Sequence, residues 1–522
     1  MTQSQALDIL KLGKNVFLTG APGAGKTYLL QEYINFLRSA EISVAVTAYT
    51  GIAASHLNGR TLHSWAGLPR GPMHEEKVER DRVLHHPRLL ARLQDTRVLV
   101  IDEISMVHPE EFDRVDFICR TARNSNEPFG GLQLVCSGDF FQIPPVGQVN
   151  GEFVIDSNAW KTAAMEVCYL QEQHRQEGAG DTSGAPSGGG ELLEILGEIR
   201  EGRVGPQATE RLRSRIGAKI DSPVGVARLH THRDDVDEVN RQELEKLPGA
   251  PVIYEVHQKG EAKAVENMKK EYEIGLVALK LHAHVMFMRN NPGAGYVNGT
   301  LGEVVDFVNA EGEYGVSEAL PVVQTFDGRR IMALRERWEI AESGTSGASS
   351  GARAEDGGRG TPDSARTGGT ISIAQIPLKL AWAITIHKSQ GMTLDAAVID
   401  LGRAFAPGMG YVALSRVRRL ENILLIGLNA LALRVSERIM ALDREFLAAS
   451  AKTEAMLADI LAAPARTPGG EVRGNDNLRE LQVEFLRVAR EPFDEFAADV
   501  DPNALRIEYA TEGVDETPFS DF

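Results

Sequence analysis

Residues 15 to 19, Asn-Val-Phe-Leu-Thr, run directly into Gly20-Ala21-Pro22-Gly23-Ala24-Gly25-Lys26-Thr27, and the helical pattern YLLQEYINFLR follows. A G-x-x-x-x-G-K-[ST] sequence between a buried strand and a helix commits this part of the chain to an α/β sheet with a phosphate cradle at the end of its first strand. Gly20, Gly23 and Gly25 allow the backbone to curl until its N–H groups and the helix N-terminus face phosphate oxygens. In such a loop Lys26 reaches the β- and γ-phosphates and Thr27 ligates Mg²⁺. A plain glycine-rich turn is the alternative, and the flanking strand and helix argue against it.

A second apolar run, Val98-Leu99-Val100-Ile101, ends in Asp102-Glu103. On its own, such a pair reads as a helix cap or a solvated surface. After a phosphate-binding loop it reads as an acid that holds Mg²⁺ through water, followed by one that polarises an attacking water. Strand-like runs at 15–19, 43–47, 97–102 and 132–139 alternate with helical patterns, as in a parallel sheet. A second such set follows late in the chain, in LKLAWAITIH, AVIDLG at 397–402 and ILLIGL at 423–428. Between the two sets, alternation and the turns Asn291-Pro292, Asn298-Gly299 and Glu311-Gly312 predict a small antiparallel barrel.

Hydrophobic residues make up 43% and charged residues 25% of the 522-residue chain, which excludes wholesale disorder and a fibrous repeat. Residues 177–190 and 341–370 are the exceptions, Gly/Ser-rich and nearly free of large apolar groups; a shorter break from Ala462 precedes the C-terminal stretch. The formal charge of −17 speaks against a nucleic-acid partner, but residues 451–522 alone hold sixteen Asp and Glu against seven Lys and Arg. More than half of the excess is therefore local, and a basic groove elsewhere remains open. Cys119, Cys136 and Cys168 have no C-x-x-C spacing, so they predict packing residues rather than disulfides or a zinc site. With no basic, apolar leader and no run of about 18 apolar residues, the expectation is a cytoplasmic protein.

Seven ordered segments carry a family resemblance: TAYTGIAASHLNGRTLHSWAGL from Thr47, IDEISMV from Ile101, PFGGLQLVCSGDFFQIPPV from Pro128, LQEQHRQ from Leu170, YVNGTLGEV from Tyr296, LAWAITIHKSQGMTLD from Leu380 and YVALSRVRRLENI from Tyr411. Their order over about residues 2 to 445 resembles the petite-integration-frequency (Pif) helicases, superfamily 1 DNA helicases of the 5′-to-3′ group related to RecD. The stretch FDRVDFICRTARNSNEPFGG resembles one peculiar to that family.

The resemblance implies an α/β fold of two RecA-like P-loop domains, with a small helical wedge insert and an SH3-like β-barrel insert. The first domain is expected over 1–170, with the wedge at about 68–93, and the second over 171–264 and 371–450. The barrel falls at 265–340, a low-complexity insert at 341–370 and an acidic appendage at 451–522. ATP and Mg²⁺ are the implied cofactors, and single-stranded, forked or structured DNA the implied partner; a protein partner for the acidic tail is a further expectation. By the same resemblance Gln3 recognises adenine, Gln142 senses the γ-phosphate, and Arg175 and Arg416 reach that phosphate from the second domain, while Gly391 joins the P-loop residues at the nucleotide. DNA contacts fall to Thr47, Thr50, Gly51, His63, Ser64 and Trp65 in the first domain and to His387, Lys388, Ser389 and Gln390 in the second. Trp65 has an equally plain reading as a core residue, because it sits in the apolar-flanked TLHSWAGL. Arg233 stands where the family usually has Asn, which weakens any transfer of a contact to that position. Gln3 lies near residue 1, so the N-terminal extensions of eukaryotic members are not expected. Two other readings share the phosphate motifs: an AAA-type ATPase, which would lack IHKSQG and the second α/β set, and an ATP-gated DNA-binding protein without unwinding activity.

Overall fold

The structure, a computed structural model, describes residues 1–68, 76–143, 152–171, 189–220, 226–271, 274–311, 317–341, 370–462 and 476–490. It divides into two compact units, one formed by residues 1–240 with the chain from Trp382, the other by Arg241–Ala381.

The first unit holds two parallel sheets. The strands β1 (Val16–Gly20), β2 (Val44–Ala48), β3 (Arg60–Thr61), β4 (Val98–Asp102), β5 (Gln133–Ser137) and β6 (Glu166–Leu170) lie in the order β3-β2-β4-β5-β1-β6, with every pairing parallel. All five residues of β1, β4 and β5 are buried, the mark of strands covered on both faces. Around them run α1 (Gln3–Lys11), α2 (Lys26–Ser39), α3 (Gly51–His56), α4 (Leu62–Ala66), α5 (Glu76–Leu84), α6 (Pro87–Asp95), α7 (Pro109–Ala122) and α8 (Asn158–Thr162). α2 buries Leu29, Leu30, Tyr33, Ile34 and Leu37, one stripe at helical spacing. Each such side chain contributes about 1.5–3 kcal/mol. The Tyr33 hydroxyl meets its hydrogen-bonding need by donating to Gln133 Oε1 at 2.6 Å. α5 and α6 occupy most of the segment expected as a helical wedge; residues 69–75 of it lie outside the described residues. Their anchor is the buried Glu79 carboxylate, which accepts from Arg82 Nη2 at 2.6 Å and from Arg114 Nη2 of α7 at 3.1 Å.

The second sheet joins β7 (Ala227–His230), β18 (Ala383–Thr385), β19 (Ala397–Leu401) and β20 (Ile423–Leu428) in the parallel order β18-β7-β19-β20. It carries α9 (Gly189–Arg200), α10 (Pro206–Arg213), α11 (Arg233–Lys246) and α13 (Met409–Ser415). The chain then returns to the first sheet. α14 (Glu437–Ala462) lays Phe446 against Phe17 and Phe140 at 5.1 and 5.8 Å between ring centroids, and its Ser450 Oγ accepts from Tyr169 N at 3.1 Å. α15 (Asp476–Arg490) docks on the α1 side of the same core. Along it Leu478 is buried and Phe485 packs against the core, whereas Leu481 and Val488 are 46% and 52% exposed. The docking row continues instead through Leu486 and Ala489, because a row following helical pitch leaves positions 481 and 488 on its flank.

In the second unit, β8 (Val252–Tyr254) pairs with β10 (Val277–Leu279), and β9 (His257–Lys259) joins β15 (Glu336–Ala341) and β16 (Thr370–Gln375) in the order β15-β16-β9. The largest sheet has β11 (His284–Phe287), β12 (Leu301–Glu311), β13 (Ser317–Thr325), β14 (Arg330–Met332) and β17 (Leu378–Leu380) in the antiparallel order β14-β13-β12-β11-β17. α12 (Ala262–Glu271) contributes Val265 to a small core with Trp338 and Ile373. Among the described residues no pairing closes the five-stranded sheet into the expected SH3-like barrel. Alternation predicts antiparallel strands, but closure depends on tilt and stagger that alternation does not encode.

This unit also takes in residues 241–264 and 371–381, which sequence reading grouped with the second parallel sheet. The apolar run LKLAWAITIH conceals the crossing, since Leu378–Leu380 pairs in the second unit and Ala383–Thr385 in the first. Likewise, the Gly/Ser-rich insert marks no domain boundary: its ends are Ala341 and Thr370, paired antiparallel neighbours of β15 and β16. No helix among the described residues is long and apolar enough to cross a membrane.

Candidate active site and nucleic-acid interface

The loop between β1 and α2 has the geometry its glycines allow. Gly23 and Gly25 adopt φ of 90° and 84°, and a β-carbon at Gly20 would come within 2.6 Å of Leu170 O. Lys26, the first residue of α2, donates from Nζ to Gly20 O at 2.7 Å and to Ala21 O at 3.2 Å. Pro22 and Ala24 are buried beneath the loop and Thr27 is exposed beyond it. Gln3 on α1 reaches the same loop, its Nε2 donating to Ala24 O at 3.1 Å. Burial pushes the Lys26 ammonium below its ordinary pKa, against the pull of Asp139, Glu103 and Asp102.

Asp102 closes β4 at 8% exposure, and its Oδ1 accepts from Glu103 N at 3.0 Å. Glu103 adopts φ of 54°, a left-handed conformation that costs a side-chain-bearing residue on the order of 1 kcal/mol and turns the acid out of the strand line. Its Oε2 is buried with no hydrogen-bond partner among the described residues. Burial, then the charge of Asp102, pushes its carboxyl up to about 7, and Arg416 and Lys26 pull the other way. Gln142 follows in the turn after β5, where its N donates to Asp139 O at 3.1 Å. Its Oε1 is likewise buried and unpartnered among the described residues.

Arg416, just past the end of α13, is therefore within electrostatic reach of Glu103 although it belongs to the second sheet. Its guanidinium is steadied by Val412 O at 3.0 Å, Met392 O at 3.3 Å and Ser415 Oγ at 2.8 Å. Arg175 lies outside the described residues.

The residues expected at DNA divide into two groups. Thr50, His63, Ser64, His387 and Lys388 are partly exposed. Thr50 Oγ1 caps α3 by accepting from Ala53 N at 3.2 Å, and Gly51 begins that helix. Ser64 N donates to Thr61 Oγ1 at 3.3 Å. His63 Nε2 lies 3.1 Å from Glu111 Oε1 and its ring meets Tyr49 edge-on at 5.6 Å. The other group points inward. The Thr47 hydroxyl donates to Val100 O at 2.7 Å and that of Ser389 to Ile386 O at 2.8 Å, both fully buried. Trp65 is 2% exposed, so its indole has no face open to a base; the core reading describes it. Gln390 is 1% exposed, with neither amide atom partnered among the described residues. Gly391, expected at the nucleotide, lies against α3, where a β-carbon on it would meet that of Ala53 at 3.6 Å.

Four residues that motif reading did not single out complete the picture. Phe405 is 55% exposed beyond the end of β19, with the His232 and His387 rings at 5.0 and 6.3 Å. Asp139, Arg200 and Tyr411 form a buried cluster: Arg200 Nη1 donates to Asp139 Oδ1 at 2.8 Å and to Tyr411 Oη at 2.9 Å, and the Tyr411 hydroxyl donates to Asp139 Oδ2 at 2.8 Å. Asp139 stood within a quoted motif, GDFFQ, and Tyr411 within YVALSR. Arg200 had no signal beyond being a charged residue at the end of an otherwise apolar helix face. The three cysteines are free and buried, and burial raises each thiol well above its ordinary value.

Comparison with known proteins gives one family. A family model described as PIF1-like helicase matches residues 3–210. The ATP-dependent DNA helicase Pif1 of Psychrobacter sp. (strain PRwf-1) is 40% identical over 517 residues, covering 88% of this chain and 73% of the relative. The Homo sapiens ATP-dependent DNA helicase PIF1 is 34% identical over 443 residues, 84% of this chain, and of that relative the chain spans only 62%. The crystal structure of a Pif1 helicase from Bacteroides in complex with ADP-AlF3 and ssDNA superposes with a TM-score of 0.67 at 28% identity, covering 85% of this chain and 96% of that one.

Proposed function

This chain belongs to the PIF1-like helicase family and is an ATP-dependent DNA helicase, and we propose that it moves 5′ to 3′ along single-stranded DNA by hydrolysing ATP between its two parallel sheets. The observation that carries the reading is Glu103: an acid with an unpartnered, buried oxygen, flanked by Asp102 and Lys26 on the first sheet and reached by the charge of Arg416 from the second. A phosphoryl group bound there would have cationic groups from both sides, which is what charge spreading over the transferred oxygens requires.

In this reading the loop N–H groups and Lys26 hold the β- and γ-phosphates, and Gln3 recognises the adenine edge. Glu103 orients the attacking water, Gln142 senses the γ-phosphate, and Arg416, with Arg175, stabilises the developing charge. Mg²⁺ would be held by the Thr27 hydroxyl and the Asp102 carboxylate, hard oxygen donors that suit it, and would neutralise phosphate charge. Closure and reopening around the nucleotide shift the DNA contacts of one sheet against those of the other, and the strand advances in one direction. The accessible DNA-side groups, Thr50, His63, Ser64, His387, Lys388 and Phe405, support a single-strand track of hydroxyls, N–H donors and one aromatic face.

The test is unwinding, at fixed salt, of duplexes with a 5′ tail, a 3′ tail or a fork, alongside ATP turnover with and without single-stranded DNA. Unwinding of 5′-tailed and forked substrates, with DNA-stimulated turnover, is expected. Preference for the 3′ tail would overturn the polarity, and turnover without unwinding would leave an ATP-gated DNA-binding protein.

A further inference from the structure

We propose that Arg200 is a positioning residue: by joining Asp139 to Tyr411 it registers α13, and with it Arg416, against the turn that carries Gln142. The proposal rests on the reading of Gln142 and Arg416 given above and adds what sets their separation.

The geometry is that of a hub. Arg200 ends α9 of the second sheet and is buried. Its Nη1 bridges Asp139 of the first sheet and Tyr411 of α13, while its Nη2 donates to Tyr169 Oη at 2.9 Å and to Asp443 Oδ1 at 3.1 Å. The guanidinium carbon stands 4.0 Å from the Phe141 ring centroid, one residue before Gln142. A planar fork is suited to holding several acceptors in fixed directions, a role a point-charge ammonium fills only in part. Backbone contact supports the same register, since Gly408, which precedes α13, would bring a β-carbon within 2.9 Å of Phe141 O and 3.3 Å of Gln142 O. Arg416 lies about one and a half turns along the helix from Tyr411. Fixing the start of α13 therefore fixes the distance from Arg416 to the Gln142 turn. The hub joins groups of both sheets, so any hinge between them has to strain or remake it.

The experiment measures DNA-stimulated ATP turnover, and single-stranded DNA affinity with and without ADP–aluminium fluoride, for the full chain and for Tyr411→Phe, Arg200→Gln and Arg200→Lys. Thermal unfolding midpoints are recorded for each. Tyr411→Phe and Arg200→Gln are expected to lower kcat about tenfold or more with KM for ATP within about twofold, since a mispositioned finger acts on the transition state alone. The nucleotide-dependent difference in DNA affinity should shrink toward none, and Arg200→Lys should recover part of both effects. Tyr411→Phe removes one hydroxyl and decides the matter if Arg200→Gln does not fold. A lowered unfolding midpoint with unchanged kcat and unchanged nucleotide dependence would make the hub a structural brace and overturn the proposal. Arg416→Ala is the control. Loss of turnover there with normal turnover in both hub variants overturns the positioning role alone, whereas full turnover in Arg416→Ala overturns the active-site reading and the proposal with it.

Discussion

At the proposed nucleotide edge of the first sheet, motif residues leave polar atoms available: among the described residues Glu103 Oε2 and Gln142 Oε1 are buried without partners, and the hydrogen bonds of Lys26 Nζ go to loop carbonyls. On the proposed DNA side, motif membership divides. The hydroxyls of Thr47 and Ser389 are spent on backbone carbonyls and Trp65 is core, while Thr50, His63 and His387 stay accessible. The first set sits just past strand ends and in one tight loop, at the carboxyl edge of the sheet. The second set lies on strand ends and short helical turns, where neighbours alternate between solvent and core. A motif is thus a ligand contact plus the scaffold that aims it, and the two need different tests.

The largest expected effect separates binding from chemistry at the nucleotide edge. Lys26→Ala should abolish hydrolysis, and Glu103→Gln should retain ATP binding while turnover falls by about 10³ or more, because the carboxylate is lost and the shape kept. Nucleotide titration beside steady-state turnover checks both. Near wild-type turnover in Glu103→Gln would assign the water to another group and remove the contrast at its stronger end.

Trp65→Ala should cost about 3–5 kcal/mol of stability, the range for emptying a large buried aromatic site. Denaturant unfolding reads it. If the variant is as stable as wild type and instead binds single-stranded DNA weakly, the indole is a contact and the division drawn here fails on the first sheet. Phe405→Ala is the converse. It should leave stability within about 0.5 kcal/mol, as for an exposed side chain, and weaken single-stranded DNA binding by about 1–3 kcal/mol. Fluorescence anisotropy at fixed salt measures the second quantity, and unchanged affinity would leave the second sheet without an aromatic platform.

Much of this was legible because the signals were local. The P-loop, the acid pair and the strands β1, β2, β4, β19 and β20 are contiguous segments, and these strands appear within a residue or so of where apolar runs put them, whereas β3, β6 and β7 lie in segments not read as strands. Long-range choices were not. Nothing in LKLAWAITIH marks the point at which the chain passes from one unit to the other, and α14 returns to the first sheet through Phe446 and Ser450, contacts that no periodicity predicts. Arg200 was hidden for the same reason: its four partners come from positions 139, 169, 411 and 443.

The smallest expected effect belongs to the connection between β15 and β16, to which neither ligand has been assigned a contact. Residues 342–369 connect β15 to β16, whose pairing runs in unbroken register from Glu336↔Gln375 to Ala341↔Thr370. The strands therefore hold one another directly, and the contribution expected of the connection is the entropy of closing a loop. That entropy grows slowly, by about 0.6 kcal/mol for each doubling of length, so replacing 345–368 with a short Gly-Ser join should stabilise the second unit by about 1 kcal/mol at most. ATP turnover and DNA affinity should both stay within about twofold of the full chain, because the hairpin register is unchanged and no residue assigned to either ligand is touched. Turnover that fell while DNA affinity held, or the reverse, would tie the insert to one of the two regions and add a third member to the comparison.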